Sequence, residues 1–245
     1  EVESFEFENA SIKEVLAGGK SYPADYVVGA ADYHHVEQKL LPLEYRKYSA
    51  KYWESRVMSP SSLIWYVGVN KKLDKLEHHN LLFDEDFKVH AEAIYENPQW
   101  PEKPSVYVCM TSKTDETAAP EGHENLFILI PVASGLKDSD EIREKYLNLV
   151  LDRLEKLTGE NIAPFIDYKK SYAQTDFIND YHAFKGNAYG LANTLMQTAF
   201  LKPSIKSSKV KNLYYAGQLT VPGPGVPPAL ISGQIVSKLI AENEN

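Results

Sequence analysis

Residues Val210–Ile240 read VKNLYYAGQLTVPGPGVPPALISGQIVSKLI. A short apolar run of strand-forming residues, Leu213-Tyr214-Tyr215, ends in Ala216-Gly217 and empties into a loop dense in proline and glycine. A helix is expected next, with Pro227 and Pro228 in its first turn. A strand that runs through a Gly-rich loop onto a helix start presents free backbone N–H groups and a partial positive charge to whatever binds there.

The glycine pattern narrows the ligand. Gly223-Pro224-Gly225-Val226-Pro227-Pro228 is no dinucleotide fingerprint, because Pro228 stands at the third glycine position and the loop comes late in the chain. No Gly-Lys-Ser/Thr follows, so it is no Walker loop either. Each proline removes a donor, which argues against a phosphate cradle of consecutive amides. Taken alone, the stretch reads equally well as a turn-rich connection before a terminal helix.

Working outward, the N-terminal region reads as a β-meander. Val2, Phe5 and Phe7 lead to a turn at Asn9-Ala10, Ile12–Leu16 form a second strand, Gly18-Gly19 turn again, and Tyr22–Val28 form a third. Ala30-Ala31-Asp32 feeds an expected helix over Tyr33–Leu41. Further strands are expected at Ser61–Val69, Val106–Met110 and Leu126–Val132. The clearest helix spans Asp140–Thr158, with Asp138 and Glu141 as a capping box, a broad apolar face and Gly159 as its stop. Gly186–Leu201 reads as loop running into helix, with Leu191, Leu195, Met196, Ala199 and Phe200 apolar. Such a stripe serves either a core or a tunnel wall.

Composition excludes several functions. The 245 residues carry a formal charge of −8 and no long basic run, which disfavours nucleic acid. The single cysteine, Cys109, lies in an apolar run and permits no disulfide framework, as expected in a reducing, cytoplasmic setting. The opening Glu1-Val2-Glu3-Ser4 has no basic head or apolar run of a secretory leader, and no apolar stretch approaches the ~20 residues of a spanning helix. The histidines at 34–35, 78–79 and 90 lack ligand spacing, since adjacent residues of a strand face opposite ways, and they read as structural or surface groups. No metal is expected. There is no Gly-x-Ser-x-Gly elbow, and no carboxylate spacing marks a glycosidase pair.

Three stretches together resemble one family, the FAD-dependent phytoene desaturases of the bacterial and fungal type, in the amine-oxidase-like flavoprotein superfamily. Leu213–Gly217 and Pro222–Pro227 resemble its C-terminal strand and Pro-Gly-x-Gly-[Val/Ile]-Pro loop. Gly186-Asn187-Ala188-Tyr189-Gly190-Leu191, with Gln197 and Pro203 beyond, resembles its Gly-x-x-Tyr-Gly…Gln-x-x-x-x-x-Pro segment. Ala24–Asp32 resembles its Ala-Asp-x-Val-Val-x-Asn-Ala-Asp strand, with Ala30 where Asn is usual.

That resemblance implies an α/β (α+β) fold with FAD as cofactor and a carotenoid as substrate. It implies a partial FAD-binding domain from residues 1–32 and 206–245, and a substrate domain of mixed sheet and helix at 33–205. It places Val2 where the family offers backbone to the adenine, and Gly217, Gln218, Gly225, Val226, Pro227 and Pro228 around the flavin. The Val226 N–H is the expected donor, since Pro227 and Pro228 have none. Gln218 would donate to phosphate or stand as an exposed loop amide. The family's N-terminal strand–GxGxxG–helix (Rossmann) unit is missing from these residues, so the chain is expected to be the C-terminal half of such an enzyme, inactive by itself. Its uncovered sheet edges favour dimerisation or poor solubility. Peripheral membrane association would suit a carotenoid enzyme. Carotenoid isomerisation, retinoid saturation and a non-catalytic carotenoid- or lipid-binding module remain alternatives. No catalytic acid or base is identifiable.

Overall fold

The computed structural model describes residues 1–244. In chain order its strands are β1 Val2–Glu8, β2 Ser11–Ala17, β3 Lys20–Pro23, β4 Val27–Gly29, β5 Ser61–Val69, β6 His79–Leu82, β7 Val106–Cys109, β8 Glu124–Val132, β9 Ile166–Tyr172 and β10 Leu213–Tyr215. Its α-helices are α1 Tyr33–His35, α2 Ala50–Glu54, α3 Phe87–Tyr95, α4 Asp140–Thr158, α5 Gln174–Tyr181 and α6 Val226–Glu244. The chain packs as two compact units, Glu1–Ser59 with Ile178–Asn245, and Pro60–Phe177.

The first unit holds two small sheets. β1, β2 and β3 form the antiparallel meander, and β10 pairs parallel with β4 in the register Leu213↔Val27, Tyr214↔Val28, Tyr215↔Gly29. The expected third strand, Tyr22–Val28, is therefore two strands in different sheets. The chain bends between Pro23 and Val27, where the Ala24 N–H bonds Lys13 O and the Val27 N–H bonds Asn212 O. Asn212 joins the sheets: its amide donates to Ile12 O at 2.7 Å and Asp25 O at 2.9 Å and accepts the Ile12 N–H at 2.8 Å. The core gathers Ile12, Tyr33, Val36, Trp53, Leu213 and Tyr215, with the Tyr33 and Tyr215 rings stacked at 3.6 Å. Because 33–59 and 178–205 contribute Tyr33, Trp53, Phe184 and Leu191 to this core, the packing unit is wider than the pieces 1–32 and 206–245.

Two expected helices are corrected. Tyr33–Leu41 is α-helical only over α1 and continues as a π-helical turn, Val36–Leu40. Gly186–Leu201 contains no α-helix: Gly186 ends one 3-10 turn, and two more lie at Leu195–Gln197 and Ala199–Leu201. Positive φ at Gly186, Gly190 and Ala199 breaks the helical path, and Gln197 is drawn into bonds with the backbone of Val57 and Ala192. Leu195, Met196 and Phe200 are then exposed rather than core.

The second unit is a five-stranded antiparallel sheet, ordered β6-β7-β8-β5-β9, with α4 among the elements of its core. Strict alternation along β8 buries Leu126, Ile128, Ile130 and Val132, which pack with Tyr146, Leu147, Val150 and Leu154 of α4. Gly159, at φ +74°, ends the helix as expected. Its N-cap is Ser139, whose hydroxyl accepts the Ile142 N–H at 3.3 Å, in place of the expected Asp138. Asp138 is instead ion-paired with Arg143 and hydrogen-bonded to Thr175.

Candidate functional site

The two parallel strands β4 and β10 end side by side, and the Ala216 N–H bonds Gly29 O at 3.1 Å. Ligands of parallel sheets bind beyond the carboxyl ends of the strands. Here one end leads through Gly29-Ala30-Ala31 to Asp32, and the other through Ala216-Gly217 into the loop that starts α6. Gly217, Gly223 and Gly225 have φ of +112°, +132° and +106°, a region that side chains rarely allow. A Cβ on Gly217 would meet nothing, so the backbone there lies open to a ligand.

The start of α6 leaves few donors. The Ala229 N–H closes the first turn onto Gly225 O at 3.0 Å. The groups ahead of it without helical partners are those of Gly225, Val226, Pro227 and Pro228. Two of these are prolines, so Gly225 and Val226 carry the available N–H groups, and both residues are exposed. The helix is 19 residues long, and its dipole favours negative charge at this end.

Polar residues of the neighbouring segments hold the loop in place. The Gln218 side chain donates to Asn187 Oδ1 at 3.0 Å, and the same oxygen accepts the Gly190 N–H at 2.8 Å. A Cβ at Gly190 would lie 2.7 Å from Gln218 O, so the close approach requires glycine. Asn187 also donates to Phe184 O, while Asp32 accepts the N–H groups of Phe184 at 3.1 Å and His35 at 3.0 Å. Burial pushes the Asp32 carboxyl up, and the Phe184 and His35 N–H groups oppose it. The three stretches singled out in the sequence thus form one hydrogen-bonded assembly. Gln218 serves it as a brace between segments.

Val2 lies elsewhere in the unit. It lines a mainly apolar pocket of about 350 Å³ with Phe5, Val15, Val27, Gly29 and His35, and none of the loop residues lines it. Nearby, His35 and His182 stack at 4.0 Å and His182 pairs with Glu1 at 2.7 Å. In the second unit, His78, His79 and Cys109 bring ligand atoms within 4.8 Å of one another. The rule that adjacent histidines diverge fails there because His78 precedes β6 rather than lying in it. His78 is held by Thr114 and His79 by Tyr107.

One residue that motif reading passed over stands out. Lys202, in the apolar context Phe200-Leu201-Lys202-Pro203, is 4% exposed, and its Nζ has no hydrogen-bond partner among the described residues. Its end packs on the loop: a Cβ at Gly223 would lie 3.1 Å from Lys202 Cε and 3.3 Å from Nζ.

Parallel-strand ends, a glycine loop and a helix start with free N–H groups together suit an anionic ligand. The chain belongs to the flavin containing amine oxidoreductase family, whose sequence profile matches residues 1–241. It is 43% identical to a carotenoid 3,4-desaturase of Haloarcula japonica over 94% of this chain and 46% of that protein. It is 30% identical to a 4,4'-diapophytoene desaturase of Staphylococcus haemolyticus over 96% of this chain and 51% of that protein. The chain therefore spans about half the length of these relatives. In fold it is similar to an oxidoreductase from Methanosarcina mazei (TM-score 0.61, 14% identity, 97% of this chain and 48% of the other). A cyclohexylamine oxidase from Brevibacterium oxydans is similar too (TM-score 0.57, 15% identity, 99% and 48%). FAD is the cofactor that this family and these desaturases indicate.

The residues present fit that cofactor. The loop is open at Gly217, and Gly225 and Val226 are exposed and carry N–H groups without helical partners. Lys202 packs on Gly223 of the same loop, with its buried Nζ lacking a hydrogen-bond partner among the described residues.

Proposed function

We propose that this chain is the C-terminal part of an FAD-dependent carotenoid desaturase, carrying the flavin-side loop and the substrate domain. The observation behind this reading is the single assembly made by Ala24–Asp32, Gly186–Pro203 and Leu213–Pro227, in a chain 43% identical to a carotenoid desaturase. Residues 1–32 and 206–245 belong to the cofactor domain on this reading, and 33–205 to the substrate domain. The dinucleotide-binding half with its glycine fingerprint lies outside these residues and is the natural partner of the β4 edge.

Bound flavin supplies a two-electron acceptor for the hydride removed in desaturation. The chain's part is to hold it. Gly217 lets backbone approach closely, and Gly225 and Val226 direct N–H groups toward negative charge, a preorganised arrangement that needs no rearrangement during reaction. Pro227 and Pro228 stiffen the helix start at no cost in helical hydrogen bonds. Val2 would meet the adenine end. The exposed apolar side chains Leu195, Met196 and Phe200 suit a long polyene or the membrane surface from which it comes. No helix among the described residues is long and apolar enough to cross a membrane.

The test is to express the longest natural polypeptide containing this chain, reconstitute it with FAD, and incubate it with acyclic and monocyclic carotenes. Lengthening of the conjugated system, read as a red shift of the product spectrum, is expected. A protein that binds FAD yet leaves every carotene unchanged, or only isomerises or saturates its substrate, would replace this reading with its family alternatives. Binding of carotenoid without flavin would favour the carrier module.

A further inference from the structure

We infer that Lys202 is a cofactor-binding residue whose ammonium pairs with the negative charge that builds up on the pyrimidine end of the flavin upon reduction. The inference deepens the flavin reading above and rests on it. An ammonium has three donors and no acceptor, and burying one without a partner is costly. On the flavin reading, the bound cofactor supplies the missing partner. The Lys202 backbone N–H is engaged with Ala199 O at 3.2 Å, which fixes the root of the side chain, while Nζ is left without a partner among the described residues. The side chain runs along the loop and occupies the space that any side chain at Gly223 would need. Glycine at 223 and lysine at 202 are therefore a matched pair.

The position selects the ligand's charged part. Gly223 lies two residues before Gly225, whose N–H with that of Val226 forms the positive start of α6. On this inference Lys202, packed on Gly223 of the same loop, adds a third positive group to that site. The pyrophosphate is the other anionic part of FAD, but the glycine fingerprint that grips pyrophosphates is not among these residues. Burial also holds the Lys202 pKa below its ordinary range, so an anion that arrives there is what keeps the amine charged.

The experiment uses the longest natural polypeptide containing this chain, with Lys202→Met and Lys202→Arg variants. Its readouts are the FAD dissociation constant, the flavin midpoint potential and the melting temperature of the FAD-free protein. Lys202→Met is expected to weaken binding of reduced flavin about tenfold more than that of oxidised flavin, which lowers a two-electron potential by about 30 mV. Lys202→Arg should restore most of the shift. The FAD-free Lys202→Met protein should melt at or above the wild-type temperature, because it buries a methionine in place of an unpaired charge. An equal loss of affinity for both redox forms, with the potential unchanged, would assign Lys202 to the pyrophosphate and overturn the inference. Unchanged affinity and potential with a lower melting temperature would make it a structural lysine, paired outside the cofactor. If the wild-type protein binds no FAD, the flavin reading itself falls; if it does and the variants match it, only the role of Lys202 falls.

Discussion

Asn212 ties together parts of the chain two hundred residues apart. Its side chain makes three hydrogen bonds, to both backbone groups of Ile12 and to Asp25 O, at a residue that is itself buried. Removing it leaves buried backbone groups unpaired, and each such group costs about 1–3 kcal/mol. Asn212→Ala is expected to destabilise the first unit by about 2–4 kcal/mol in urea unfolding; a loss below half a kilocalorie would show that water replaces the amide. His34 provides a pH test. Burial, with the charge of Lys39 adding to it, lowers its pKa to about 4, and its ring stacks on Phe184 at 3.9 Å. The folded pKa lies below the unfolded value of about 6.5, so the unfolded chain takes up the proton first. Stability is full above about pH 6.5 and is lost as pH falls toward 4. After allowing for solvent screening the loss amounts to about 1–2 kcal/mol. Asp32 and Glu37, both pushed up by burial, run the other way, so the difference between wild type and His34→Phe isolates the histidine. Parallel stability curves for the two proteins from pH 7 to 4 would refute its role.

At the scale of elements, the strand–loop–helix unit works because its parts divide the labour. β10 is fully buried and fixed by β4, the glycines supply conformations closed to other residues, and α6 contributes length and dipole. Donor capacity at the helix start is concentrated at Gly225 and Val226. Val226→Pro removes one of these N–H groups and, at the first helical position, no helical hydrogen bond. The expected result is about tenfold weaker FAD binding with unchanged helical circular dichroism, the loss of one hydrogen bond to a charged group. Unaltered affinity would move the flavin contact to Gly225 or Lys202. Much of this element was legible beforehand, because Pro, Gly and a short apolar run act locally. Ser61–Val69 and Asp140–Thr158 were likewise readable to the residue from alternation and helical period. The cap of α4 was not: Ser139 and Asp138 both qualify by type, and Arg143 and Thr175 decide the matter by drawing Asp138 away.

For the whole molecule, the telling feature is a two-stranded parallel sheet. Among the described residues β4 pairs with β10 alone, and three-residue parallel strands are not self-sufficient. Beside the end of β4 lies the apolar pocket lined by Val27, Val28, Ala30 and Ala31. If the dinucleotide-binding half completes this sheet, the 245-residue chain alone should self-associate in light scattering, while the longer natural polypeptide with FAD should not. A monodisperse monomer of the short chain would show that the β4 edge needs no cover.

The sequence by itself determined the family, the loop, the glycine positions and the long elements, because these depend on residue type and near-neighbour spacing. Only the tertiary structure decided which residues meet. It split Tyr22–Val28 between two sheets, turned Gly186–Leu201 into irregular backbone braced by Asn187 and Gln197, and made Gln218 a brace. It also left Lys202 buried against Gly223, although the two lie twenty-one residues apart in sequence. Burial and hydrogen-bond partnership are properties of the surroundings, and for these residues the surroundings come from distant parts of the chain.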